Sequence, residues 1–429
     1  MVERYSQRVV YQPRVIDSEL DLLLGDLSAV SLDGPKGVGK TETALQRANR
    51  VFRLDRSDDR ELLAARPDVL ATLRPPTLID EWQRWPEVWN LVRRAVDDGA
   101  AAGSYLLTGS ATPAAHIHTG AGRIVPLRMR PMALAERGVG RPAVSLGELL
   151  AGHRQVDGET DVRLETYVEE IVRSGFPGIR TSETSRGLRA RLDGYLDRLV
   201  DHEVVDNGAM QRRPAAMRQW LTAYAAATAT PATYETIRDA ATPGVSNKPT
   251  KVTALGYRDV LQRLWVLDPL HAWLPTHNRL TRLTVAPKHH LADPALAARL
   301  LGVTADSLIG AARPGSPPRD RSMLGPLFES LVTLGVRVFA QAAEARVSHL
   351  RTQAGRHEVD LIVTGASGRV LALEVKLGAV PSDADVQHLH WLRSEIGDDL
   401  VDAVVVTAGP YAYRRRDGIA VVPAALLGP

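Results

Sequence analysis

Apolar positions along the chain follow two rhythms. Residues 15–27 and 86–98 space them three and four apart, as an amphipathic helix does, whereas 28–33, 51–55, 77–80 and 104–109 are short apolar runs of strand length. Helices are expected between them, over about 40–51 and 58–70. Strands alternating with helices predict a parallel sheet covered on both faces. After Pro131 the rhythm changes. Residues 145–227 read as helices rich in Leu, Ala and Arg, and 232–270 as two shorter helices, the second ending in LQRLWVLDPL, with strand-like material to about 290. The run ARPGSPPRDRS at 312–322 reads as a linker or surface loop. Beyond it a helix at 325–341, strands near 345–351, 357–363 and 369–376, a helix at 383–396 and a strand at 401–407 predict a second α/β region. The domains expected are therefore 1–140, 141–311 and 323–429.

Composition narrows the function classes. A chain of 429 residues with 44% apolar content exceeds what one hydrophobic core usually organises. No apolar run reaches the roughly 18 residues that span a bilayer, and the opening MVERYSQRVVYQPR lacks the apolar stretch of a secretion signal, so a cytoplasmic protein without membrane contact is expected. The absence of cysteine excludes disulfides, thiolate metal sites and cysteine nucleophiles. A net charge of +3 does not by itself announce nucleic acid. Only six of the 53 basic residues are lysines, and two of them, Lys40 and Lys376, fall where a compact ammonium suits the chemistry better than a guanidinium fork.

The first chemical motif is GPKGVGKT at 34–41, between the predicted strand AVSLD and a predicted helix. Glycines let successive backbone N–H groups curl around phosphates, the lysine reaches the terminal phosphates and the hydroxyl holds magnesium. Gly34, Pro35, Lys36, Gly37, Val38, Gly39, Lys40 and Thr41 are thus the expected cradle for ATP with Mg2+. TLIDEW at 77–82 ends an apolar strand in two carboxylates. Asp80 is expected to hold the magnesium of Thr41 through a water, and Glu81 to polarise the attacking water. The strand SYLLTGS ends in Thr108 and Ser110, either γ-phosphate sensors or strand-end caps. Arg123 in GAGRIVPL is an arginine-finger candidate, in cis or from a neighbouring subunit of a homo-oligomer.

The ordered set GPKGVGKT, RLD at 53–55, LIDEWQRWPEVW, LLTGS and GRIVPLRMRPMALAE resembles the bacterial and archaeal AAA-type ATPases fused to a carboxy-terminal domain of unknown function. RSGFPG at 173–178, YLDRLVDHEVVD at 195–206 and a winged-helix-like segment at 246–296 with KHHLADPAL extend the likeness over nearly the whole chain. The family usually has Arg-Gln where this loop has Lys36-Gly37, and a hydroxyl residue where this chain has Glu42; neither change touches Lys40 or Thr41. The resemblance implies an ATP-binding core.

A second constellation lies beyond 325. A helix carries Glu329, a strand ends in EVDLIV with Asp360, another reads LALEVK with Glu374 and Lys376, and a helix carries Gln387. Glu374 and Lys376, two apart on a strand, share a face, and a hairpin places Asp360 beside them. Asp360 and Glu374 would bind Mg2+ while Lys376 orients or deprotonates a water for phosphodiester cleavage. The order resembles the PD-(D/E)xK nuclease superfamily, whose restriction-endonuclease-like fold would then follow, with Glu329 and Gln387 at its auxiliary helix positions. The alternative for Glu374 and Lys376 is an exposed ion pair of little energetic weight.

Between Ser246 and Lys288, seven bases (Lys248, Lys251, Arg258, Arg263, Arg279, Arg282, Lys288) face only Asp259 and Asp268. Such a module could sit on DNA or RNA, with Lys251, Thr253 and Arg258 toward a major groove, or mediate protein contacts. The expected protein is α/β: a P-loop ATPase acting as a switch for nucleic-acid engagement through its middle and carboxy-terminal regions. A metal-dependent nuclease with regulatory ATP and a non-catalytic DNA-binding or assembly module with structural nucleotide stand as alternatives.

Overall fold

The computed structural model describes residues 11–110, 121–203, 214–242, 250–275, 285–310, 323–352 and 355–429. The run 312–322 and the bases Lys248, Arg279 and Arg282 lie outside these residues. Two compact units emerge: described residues up to Met129, apart from Gly34–Val38 and Ser110, make the first, and those stretches with Arg130–Pro429 make the second.

The first unit holds a five-stranded, all-parallel sheet of β1 (Ala29–Asp33), β2 (Arg50–Arg53), β3 (Thr77–Asp80), β4 (Tyr105–Gly109) and β5 (Val125–Arg128), in the order β2-β3-β4-β1-β5. Burial follows the continuous apolar runs: β1, β3 and β4 are buried at every position. Packed on this sheet, Trp82, Val88, Trp89 and Val92 join Phe52, Ile79 and Leu107 in one cluster. β5, in a stretch not read as a strand, carries Pro126, which lacks an N–H for a ladder and is tolerated at the sheet edge that β5 forms. The helix expected over 40–51 ends at Leu45. The one expected over 58–70 is interrupted ahead of Pro67, leaving Ser57–Ala65 and Val69–Thr72.

The second unit is organised on a seven-stranded mixed sheet. Its strands are β7 (Gly158–Glu159), β8 (Arg346–Arg351), β9 (Glu358–Thr364), β10 (Val370–Lys376), β11 (Leu400–Thr407), β12 (Tyr411–Arg414) and β13 (Ala420–Pro423), in the order β7-β12-β13-β11-β10-β9-β8. β6 (Val144–Ser145) pairs with β14 (Leu427–Gly428) in a separate two-stranded ladder. The middle of the chain thus supplies β6 and β7 to ladders completed by carboxy-terminal strands, and 130–429 forms one compact unit. The expected hairpin is present: β9 and β10 run antiparallel, with Leu361 opposite Leu373. The helix Leu324–Ala342 buries Leu327, Phe328, Leu331 and Phe339, at about 1.5–3 kcal/mol each.

Two motifs of the family likeness turn out to be structural. In RSGFPG, the Gly175 N–H donates to Asp293 Oδ2 at 2.5 Å, and a Cβ on Gly175 would lie 2.7 Å from Arg137 Nη2 and 2.8 Å from the Met132 carbonyl oxygen. Arg137, with a fully buried side chain, reaches Glu170 at 3.1 Å, and Arg180 reaches the same carboxylate at 2.7 Å. The Asp of KHHLADPAL therefore clamps the glycine turn within one buried ionic network.

Candidate functional site

β1 delivers the phosphate loop. Gly37 and Gly39 have φ of 79° and 108°, which glycine adopts without a Cβ penalty. Lys40 opens the next helix and is buried. At the end of β1, burial pushes the Asp33 carboxyl up to about 6, opposed by the Ser31 hydroxyl, which donates to it at 2.7 Å, and by the Lys40 charge. The helix Lys40–Leu45 has six residues, too few to stand alone. The segment before β1 braces it: Arg47 pairs with Asp17 at 3.0 Å and Asp21 at 2.5 Å, and the Tyr11 hydroxyl lies 3.1 Å from that of Thr43.

Thr41 and Asp80, 39 positions apart, come together: Thr41 Oγ1 donates to Asp80 Oδ1 at 2.8 Å. Thr108 donates its hydroxyl to the same carboxylate oxygen and accepts the Glu81 N–H at 3.4 Å. Because β4 lies between β1 and β3, a β4 hydroxyl can reach the end of β3, so Thr108 positions the acid pair. Glu81 sits at φ 56°, ψ 45°, a left-handed conformation that costs a non-glycine residue about 1–3 kcal/mol and concentrates at functional positions. Its Oε2 accepts from Gln83 Nε2 at 2.5 Å, a contact that motif reading had not singled out. Gly109 packs so closely on the Trp82 indole that a Cβ there would collide with it, which accounts for the glycine of LLTGS. Ser110 follows directly and is buried. Arg123 is engaged by Asp97 at 2.8 Å in a half-exposed ion pair.

The chemistry of this donor set fits the group that the loop implies. Magnesium takes hard oxygen ligands, and Thr41 and Asp80 supply a hydroxyl and a carboxylate side by side. Flexible glycines and a buried lysine suit a polyphosphate.

The carboxy-terminal constellation also assembles, with additions. Asp360 Oδ2 accepts the Val375 N–H at 2.9 Å, and Lys376 Nζ donates to Glu374 Oε2 at 2.9 Å. Into this cluster reaches Lys288, 1% exposed, with Nζ 2.8 Å from Asp360 Oδ1, 2.9 Å from Glu329 Oε1 and 3.2 Å from Glu358 Oε1. Sequence reading missed both newcomers. Glu358 was findable, since it lies two before Asp360 on the same strand face. Lys288 counts toward the basic excess of 246–288, but a buried ammonium engaged by three carboxylates is not available to a nucleic-acid backbone, so it drops out of that excess. Gln387 is exposed on the helix Asp383–Ile396.

Electrostatics complete the picture. Burial opposes the charge on Lys288, but Asp360, Glu329 and Glu358 outweigh it and raise its pKa. Burial and then the Asp360 charge push Glu329 up to about 8, whereas Lys288 and Lys376 overcome burial and hold Asp360 at about 2. Glu374 is driven well above the carboxylate range, first by burial and then by Asp360. Burial works against the Lys376 ammonium, but Glu374 and Asp360 prevail and raise it, the wrong direction for a base that takes a proton from water.

Among the described bases of the middle region, two more have carboxylate partners. Lys251 pairs with Glu235 at 3.1 Å, and Arg258 pairs with Asp259 at 2.9 Å while lying over the Tyr234 ring. Thr253 gives its N–H to the Thr250 hydroxyl that caps the helix Lys251–Arg263.

Residues 27–137 match an AAA domain family. That segment is a P-loop, nucleotide-binding ATPase-like domain. Residues 164–307 match a domain of unknown function (DUF8612) and 324–427 another (DUF4143). The chain is 27% identical over 402 residues to uncharacterized proteins Rv2008c of Mycobacterium tuberculosis and Mb2031c of Mycobacterium bovis, covering 92% of this chain and 80% of each relative. The Walker-type ATPase PABY2304 of Pyrococcus abyssi shares a structural likeness with TM-score 0.38 and 15% identity, over 66% of this chain and 94% of that one. Among the described residues no helix is long and apolar enough to cross a membrane.

Proposed function

We propose that this protein is a Mg2+-dependent ATPase in which the nucleotide state of the amino-terminal unit acts as a switch. The observation that carries the reading is the Thr41–Asp80 hydrogen bond of 2.8 Å, which joins the phosphate loop to the acid pair. Lys40, Thr41 and the glycine loop bind the triphosphate, and Asp80 shares the metal with Thr41. Bound Mg2+ neutralises charge on the phosphates. Thr108 keeps Asp80 and the Glu81 backbone in place, and the Glu81 carboxylate, steadied by Gln83, orients and polarises the attacking water.

The test is binding and turnover together. Lys40→Ala should abolish ATP binding in a calorimetric titration; tight binding by that variant contradicts the assignment of the loop. Clear affinity with undetectable turnover in the wild-type chain favours instead a nucleotide held as a structural ligand. Running turnover with and without DNA or RNA tests the output of the switch: stimulation would couple ATP to nucleic-acid engagement, and indifference would direct the search to a protein partner.

A further inference from the structure

We infer that Lys288 is a resident cation: its ammonium sits among Glu329, Glu358 and Asp360 and takes up the Asp360 carboxylate that a divalent metal would need beside Glu374 for phosphodiester cleavage, so this cluster takes no metal and does not cut. The inference is independent of the ATPase reading. An ammonium has three N–H donors; Lys288 Nζ donates to Asp360 Oδ1 at 2.8 Å and Glu329 Oε1 at 2.9 Å, and Glu358 Oε1 completes its ion pairs at 3.2 Å.

The lysine is also fixed at its root. Lys288 N–H donates to the Leu270 carbonyl at 2.9 Å and its own carbonyl accepts from Leu270 N–H at 2.8 Å, so the side chain enters from a pinned backbone and not from a loose tail. Lys376 brings a second ammonium against Glu374. Two lysines therefore supply the positive charge that a metal would otherwise bring. Lys288 belongs to the segment matching one family and its three carboxylates to the segment matching the next, so the ammonium also ties these two segments into one core.

The experiment titrates Mn2+ into the nucleotide-free full chain and follows bound metal by electron paramagnetic resonance. Wild type should show no bound Mn2+ that disappears on Asp360→Asn or Glu374→Gln. Lys288→Met should gain affinity by at least about tenfold, and the gain should vanish when Asp360→Asn is added. Mn2+ bound by wild type at an Asp360-dependent site overturns the inference, as does a folded Lys288→Met that gains none. Should Lys288→Met fail to fold, the wild-type titration decides alone: Asp360-dependent Mn2+ overturns the inference, and its absence upholds it.

Discussion

The end of β3 and the end of β10 each present a buried carboxylate, Asp80 and Glu374, yet their partners differ in kind. Asp80 is held by neutral groups, the hydroxyls of Thr41 and Thr108, and Gln83 donates its neutral amide to Glu81. Asp360, Glu329 and Glu374 are held by the ammonium groups of Lys288 and Lys376. A neutral hydrogen bond is worth about 1 kcal/mol net and yields to an incoming cation. A buried ammonium does not, because removing it strands several carboxylates in a low-dielectric interior. Whether an acidic cluster is ready for a metal thus depends on the charge of the groups already satisfying it, which a list of acidic residues does not reveal.

The largest expected effect sets these two solutions against each other. Lys288→Met should destabilise the chain by about 3–5 kcal/mol, the usual cost of breaking a buried ion pair from one side. Asp80→Asn, which loses only neutral partners, should cost about 1 kcal/mol. Denaturant melts of the two variants read the difference directly, and equal losses would dissolve the distinction. Next in size, Glu81→Gln should lower ATP turnover by about 100-fold or more while leaving nucleotide affinity nearly unchanged. A parallel loss of affinity would mean that Glu81 acts in binding.

Asp33 offers a smaller effect with a definite sign. Folding raises its carboxyl from 3.8 to about 6, so between those values the folded chain binds more protons than the unfolded one. Stability from this group is then greatest at acid pH, declines as pH rises from about 4 to about 6, and stays lower above that. Two units correspond to at most about 3 kcal/mol. Asp33→Asn should therefore raise the melting temperature at pH 7.5 and lose that advantage toward pH 4; an advantage that grows in acid would reverse the assignment.

Much of the first unit was legible because β1, β3 and β4 are buried on both faces and read as continuous apolar runs. β3 and the helix Asp383–Ile396 fall at their expected bounds. β5 escaped because a proline sits inside it, and β6, β7 and β14 because two-residue strands carry no periodicity. The acid pair was legible from spacing, since Asp80 and Glu81 are adjacent. Gln83 was not, because a turn brings its amide back onto Glu81. Lys288 was misread for a physical reason: a base is normally solvated, and only the long-range partners Glu329, Glu358 and Asp360 make its burial affordable. Its scarcity as one of six lysines was the available hint.

The smallest expected effect sharpens the comparison most. Gln83 touches Glu81 through a neutral amide at 2.5 Å, whereas Glu374 is held by an ammonium at 2.9 Å. Gln83 is a positioning residue, so Gln83→Ala should lower kcat a few-fold with KM unchanged, a cost of about 1 kcal/mol in orientation of the base. Gln83→Lys would import the carboxy-terminal solution into the ATP site. An ammonium there should pin Glu81 by charge, and its suppression of kcat should weaken as salt screens the pair, while Gln83→Ala stays salt-insensitive. If both variants respond alike to salt, the partner's charge is not what separates the two acidic clusters.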